Sequence, residues 1–220
     1  MNKMHKLLIY NAVNQEVLHS IPPTANHILD VGCGNGSLGA VLKQQRPVIV
    51  DGITYSEVEA IEARQHLDHV LVADLNAVDK AQLQARYDCI ICSHVLEHLA
   101  TPWQLVSLLE SQLLPGGTLI IAIPNLLFFK QRWQLLRGRF TYSQNGGLMD
   151  ITHLRFFDWQ STALLYQHTQ LQLIDKKAYG MFPQPLVRKI IPGLSKKIDA
   201  ALVKAFPGLF GLQFIIRLKK

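Results

Sequence analysis

Cysteine is scarce in this 220-residue sequence, and apolar runs of membrane length are absent. Three cysteines, Cys33, Cys89 and Cys92, form no spaced disulfide framework, and an odd, small set points to a reducing compartment. Cys89 and Cys92 match C-x-x-C, a spacing that metal and redox sites use. They lie inside Tyr87–Cys92, which reads as a buried strand, and residues three apart on a strand face opposite sides. Small buried hydrophobes are therefore the expected role. Apolar residues make up 49% of the chain, yet no run approaches the ~18–20 residues that span a bilayer. The basic start, Met1–Lys6, precedes neither a long apolar stretch nor a small-residue cleavage site, so no signal peptide is expected. A cytoplasmic protein of one domain over residues 1–220 follows.

Acids are also unevenly missing. Residues 176–220 hold ten Lys/Arg and one acid, Asp199, so the formal charge of +6 leaves residues 1–175 three charges negative. Such a basic tail suits either a solvated surface or peripheral contact with an anionic membrane. Nucleic acid is not expected, because aromatic residues do not alternate with a continuous basic strip.

Short apolar runs alternate with amphipathic stretches through residue 175, which is the pattern of a parallel sheet covered by helices. Strands are expected at His27–Val31, Val48–Ile53, Val70–Ala73, Tyr87–Cys92 and Thr118–Ile123. Helices are expected at Ser37–Gln45, Glu57–His66, Ala77–Ala85 and Pro102–Leu113, with another at the N-terminus over residues 1–20. Pro115-Gly116-Gly117 reads as a turn. A helical insertion after strand five, over 125–152, carries Phe128, Phe129 and Trp133 at helical spacing. Trp159–His168 and Leu171–Tyr179 resume a helix and a strand, 181–207 is a second cap segment, and Gly211–Lys220 closes as a strand. The expected fold is α/β: a three-layer αβα sandwich around a seven-stranded, mostly parallel sheet.

Ile28-Leu29-Asp30-Val31-Gly32-Cys33-Gly34-Asn35-Gly36-Ser37 carries the chemistry. A strand enters three alternating glycines and then a helix. Glycine permits positive φ and close backbone approach to a ligand, and a helix N-terminus offers unpaired N–H groups. The spacing is G-x-G-x-G, not the G-x-G-x-x-G of nicotinamide-binding folds. With Asp30 two residues before the first glycine, the motif resembles that of class I S-adenosylmethionine-dependent methyltransferases.

The resemblance implies the Rossmann-like methyltransferase fold, S-adenosylmethionine as methyl donor and S-adenosylhomocysteine as product. It puts Asp30, Gly32, Cys33, Gly34, Asn35 and Gly36 against the cofactor. The family's acid at the end of strand two, which holds both ribose hydroxyls, falls on Thr54, followed by Tyr55. Either Thr54 makes a single contact or the strand bends to present Asp51. Asp74, followed by Leu75, matches the acid that accepts from the adenine amino group, or it caps its own turn. Ser93-His94-Val95-Leu96-Glu97-His98 and Asp150-Ile151-Thr152-His153-Leu154-Arg155-Phe156-Phe157 resemble a small-molecule subgroup that includes ubiquinone-biosynthesis O-methyltransferases.

In that subgroup a Glu, Glu, His set holds a divalent ion. Here it would fall on His94, Glu97 and His98. A hard ion prefers oxygen donors, so no metal is expected, and Ser93 and His94 are assigned to the cofactor pocket. His153 is the candidate general base, or with Arg155 it locks the insertion onto the sheet. The expected function is methyl transfer, at oxygen, to a small and apolar acceptor. The alternative is a non-catalytic or regulatory member acting through a protein partner, which Thr54 would favour by weakening ribose contacts. The sequence is silent on the acceptor and on oligomeric state.

Overall fold

A computed structural model describes residues 13–83 and 86–220. Seven strands form one sheet in the order β3-β2-β1-β4-β5-β7-β6. They are β1 (His27–Val31), β2 (Ile49–Thr54), β3 (His69–Val72), β4 (Tyr87–Ser93), β5 (Leu113–Pro124), β6 (Gln172–Gly180) and β7 (Gly211–Lys219). β1 to β5 pair parallel, and β7 runs antiparallel to both β5 and β6. The order reverses between β1 and β4, the point at which an open α/β sheet leaves a ligand crevice beyond its strand ends.

Both sheet faces are buried, so the central strands are apolar at nearly every position. One face sets Leu29, Ile53, Ile90 and Ile121 against Leu105, Val106 and Leu109 of α4 (Pro102–Gln112). The other sets Ile28, Val50, Ile91 and Ile120 against α1 (Gln15–Ser20), α2 (Ser37–Gln45) and α3 (Glu57–Ala63) through Val17, Leu38, Leu42 and Ala63. Cys89 belongs to this second layer and Cys92 to the first. The C-x-x-C match thus faces two ways, and its thiols are buried and free. Burial pushes both thiols up, with no reactive thiolate as the consequence.

Four expected elements differ. Residues 77–83 hold turns and no helix, because Asp74 and Asp79 spend their carboxylates on local backbone N–H groups; residues 84–85 lie outside the described residues. The expected turn at Pro115-Gly116-Gly117 is a bulge inside β5, where Leu114–Gly117 stand opposite Asp88 alone. Gly116 takes φ +77° there, and Lys220 ties the bulge down by exchanging backbone hydrogen bonds with Gly116 and Gly117. The insertion is helical only over α5 (Phe129–Leu136), and the Trp159–His168 helix shrinks to a 3-10 turn at Ser161–Leu165. The expected N-terminal helix appears as α1, with residues 1–12 outside the described residues. Residues 181–207 fold as α6 (Pro185–Ile190) and α7 (Pro192–Ala205), with α8 (Pro207–Phe210) leading into β7.

Candidate active site

The glycine loop lies at the carboxyl end of β1. Gly32, Gly34 and Gly36 all have positive φ, at +77°, +53° and +80°, so the sequence pattern answers a real backbone demand. Gly32 and Cys33 donate their N–H groups to Ile53 O at 2.8 and 2.9 Å, which fixes the loop across the end of β2. Asn35 Oδ1 accepts from the Ser37 N–H (3.2 Å) and hydroxyl (2.6 Å) as α2 begins. A Cβ on Gly32 would stand 2.8 Å from Val95 Cγ2, so the loop sits tight against the segment after β4.

Asp30 is buried just before the loop, and none of the described residues hydrogen-bonds to its carboxyl group. Burial raises its pKa to about 7. A buried carboxyl without a partner, beside three positive-φ glycines, is a place for a ligand's donors or cationic group, and it fits the cofactor that the glycine motif implies. Burial also pushes the Cys33 thiol up, reinforced by the charges of Asp30 and Glu59.

Of the remaining cofactor candidates, Tyr55 is exposed and Leu75 is partly buried against the core. Asp74 Oδ1 accepts from the Asn76 N–H (2.9 Å) and side-chain amide (3.2 Å), so this oxygen caps its turn. A cavity of about 290 Å³ opens beside this turn, lined by Leu75, Asn76, Leu99 and Leu105. Asp51 is not delivered to the crevice. Its carboxylate is held at the other end of the sheet by His27 Nε2 (2.9 Å), His69 Nδ1 (3.0 Å) and the Tyr87 hydroxyl (3.2 Å).

Ser93 ends β4, and His94 follows in the left-handed region at φ +53°, a conformation in which histidine is over-represented. His94 Nε2 lies 2.7 Å from Gln213 Oε1, and Nδ1 lies 3.4 Å from Glu97 Oε1. Burial lowers its pKa, but Glu97 and Gln213 outweigh this and the net shift is upward.

The two later motifs dock onto each other. The Leu154 and Arg155 N–H groups donate to Glu97 O at 2.8 and 3.0 Å, and the Arg155 guanidinium caps Ala100 O over the Trp103 ring. His98 Nδ1 lies 3.0 Å from the Thr152 hydroxyl. His153 is buried, with its ring 4.7 Å from that of His98. Its Nδ1 faces Leu148 O at 3.2 Å, which assigns the ring proton to Nδ1 and leaves Nε2 as a lone-pair acceptor. Burial, against the pull of Glu97, lowers the His153 pKa and keeps the ring neutral near pH 7. The lock therefore holds a neutral imidazole.

Glu97 is fully buried, and among the described residues its Oε2 has no hydrogen-bond partner. Donor atoms of Glu97, His98 and His153 all lie within 4.8 Å of one another, so this trio could hold a metal ion. His94 is not part of that group. The sequence reading missed this trio because His153 reaches it from more than fifty residues away, beyond any helical spacing. Two nitrogens and one oxygen suit a borderline ion such as zinc better than magnesium, and an ion there would take the Nε2 lone pair of His153, so metal ligand and proton acceptor are exclusive roles for this ring.

The model of a methyltransferase domain family matches residues 9–176. A ubiquinone biosynthesis O-methyltransferase of Coxiella burnetii is 28% identical over 149 residues, which is 64% of this chain and 62% of that enzyme. A trans-aconitate 2-methyltransferase of Delftia acidovorans is 32% identical over 114 residues, covering 50% of this chain and 42% of that enzyme. The chain thus spans less than two thirds of these relatives' own length. Among solved structures, an S-adenosylmethionine-dependent methyltransferase of Archaeoglobus fulgidus superposes with a TM-score of 0.65 at 18% identity, over 98% of this chain and 94% of that one. A [4+2]-cyclase superposes at 0.60 and 15% identity, over 93% and 79%. The fold alone, then, does not fix the reaction.

Proposed function

The chain belongs to the methyltransferase domain family, and from that premise we propose that it transfers a methyl group from S-adenosylmethionine to a hydroxyl oxygen of a small, apolar molecule. The observation that carries the reading is the unpartnered, buried Asp30 beside three positive-φ glycines at the switch point of the sheet. The cofactor supplies a methyl group activated on a sulfonium. Asp30 and the loop backbone hold it. Its ring neutral and its Nε2 open, His153 accepts the proton of the acceptor hydroxyl. Leu154 and Arg155, clamped on Glu97, fix His153 beside the strand-four segment. The likeness to ubiquinone and trans-aconitate methyltransferases supports a small acceptor. Incorporation of labelled methyl into a panel of phenolic acceptors tests the reading. We expect His153→Ala to cut turnover by roughly 10²–10⁴ while leaving S-adenosylhomocysteine affinity intact. In the wild type, turnover should rise with pH through a pKa below 6.5 and then level off, because the neutral ring is the base. Full turnover by His153→Ala would remove the histidine from the reaction.

A second reading concerns the surface. We propose that the corner between α6 and α7 rests on an anionic membrane. Leu186, Ile190, Ile191 and Leu194 are exposed there, beside the exposed Lys189, Lys196 and Lys197. No helix among the described residues is long and apolar enough to cross a membrane.

A further inference from the structure

The end of β2 lacks the carboxylate that would hold a ribose, and the chain supplies one from elsewhere. Thr54, buried at the last position of β2, donates its hydroxyl to Glu59 Oε2 over 2.6 Å. Glu59 is the third residue of α3, whose N-cap Ser56 accepts from the Glu59 N–H at 3.4 Å. Ser56-Glu57-Val58-Glu59 is thus a capping box, in which the glutamate ordinarily reaches back to the N-cap N–H. Here it does not. The Ser56 N–H turns to Thr54 Oγ1 instead, at 3.4 Å, and the Glu59 carboxylate is left over the strand end. Three further facts narrow its role. Asp51, the one acid of β2, is engaged toward the far end of the sheet. The strand end that Glu59 covers is next to the glycine loop, since Gly32 and Cys33 donate their N–H groups to Ile53 O, one residue before Thr54, and the charge of Glu59 is felt at Cys33. Glu59 is only half-buried, and its hydrogen bond to Thr54 uses Oε2 and not Oε1.

We propose that Glu59 is the acceptor for the two ribose hydroxyls of the cofactor, positioned by Thr54, so that the acid of β2 has been relocated five residues onto α3. A carboxylate accepts two neighbouring hydroxyl donors as a pair, whereas a lone threonine oxygen meets one of them. Thr54 is then a positioning residue: its one hydroxyl proton is spent on Glu59, and one of its lone pairs takes the Ser56 N–H. The inference rests on the methyltransferase reading.

The test is calorimetric, on the full chain, with S-adenosylhomocysteine and its 2′-deoxyribose analogue. Wild type should prefer the ribose form by roughly tenfold or more, and Glu59→Ala should weaken S-adenosylhomocysteine by roughly 10–100-fold and erase that preference. Should Glu59→Ala fail to fold for want of the Thr54 contact that ties α3 to β2, Glu59→Gln keeps the shape, and we expect a loss of several-fold in the same preference. Adding Thr54→Asp to Glu59→Ala returns a carboxylate to the strand end and should restore binding. Melting of the ligand-free variants separates a cap from a contact, since a purely capping glutamate would lower the midpoint without touching the ribose preference. Wild-type affinity and preference in both Glu59 variants would overturn this inference and leave the cofactor assignment standing. A wild type that binds neither ligand would overturn both.

Discussion

Asp51 and Tyr87 meet at the amino ends of the central strands, the tyrosine hydroxyl donating to the carboxylate over 3.2 Å in a buried setting. His27 and His69 reach the same carboxylate from β1 and β3. One acid therefore ties four strands together on the side of the sheet away from the glycine loop. Burial and the charge of Asp51 push the Tyr87 hydroxyl up, so it remains a donor at all working pH values.

Asp51→Ala should therefore be a stability variant. Removing the acceptor leaves Tyr87 and two histidines without their partner, at a cost of about 1–3 kcal/mol. Urea denaturation should show the lower midpoint, while S-adenosylhomocysteine affinity stays within about twofold of wild type. A large loss of affinity in a stably folded Asp51→Ala protein would return Asp51 to the ribose site.

Asp30 makes the opposite trade. Its folded pKa of about 7 lies above the ordinary carboxylate value, so the folded chain holds a proton there that the unfolded chain releases first. The sign follows directly. This group's contribution to stability of the ligand-free protein is complete below pH ~4 and is lost as pH rises toward 7, at about 1.4 kcal/mol per pH unit at most. Asp30→Asn removes that loss. Ligand-free Asp30→Asn should melt above wild type at pH 7.5, match it near pH 4, and bind S-adenosylhomocysteine more weakly. Equal melting at both pH values would mean that Asp30 is not buried as a neutral acid.

Much of this was legible in the sequence, for physical reasons. β1 and α2 match their expected bounds because an uninterrupted apolar run and the glycine triplet punctuate the chain there. Seven strands lie near their expected positions, whereas the antiparallel course of β7 leaves no mark in the apolar pattern. Turn chemistry hid the rest. Asp79 looks tolerable in a helix but caps a turn, and Pro115-Gly116-Gly117 looks like a break but bulges within β5. Side-chain assemblies across the fold were also hidden. His153 joins Glu97 and His98 only through loop docking, and Glu59 comes to Thr54 only because α3 forgoes its usual capping-box bond. The S-x-x-E pattern at Ser56 was the available signal, but it reads as a plain helix start.

The α6–α7 corner gives a surface prediction. The protein should co-sediment with vesicles containing phosphatidylglycerol and not with neutral phosphatidylcholine vesicles, and binding should fall as salt rises. Ile190→Asp with Leu194→Asp should abolish it without shifting the melting midpoint by more than a few degrees, since both side chains are exposed. Equal binding to neutral and anionic vesicles, or none to either, would contradict the membrane reading.

The glycine loop beside Asp30 bears the central claim, and isothermal titration with S-adenosylhomocysteine tests it most directly. The folded wild-type protein should give a saturable isotherm in roughly the micromolar range. Gly34→Val should give none, because a β-branched residue at φ +53° is strained and its side chain would enter the space assigned to the ligand. A wild type that releases no heat at millimolar S-adenosylhomocysteine, or a Gly34→Val variant that binds it normally, would contradict the account.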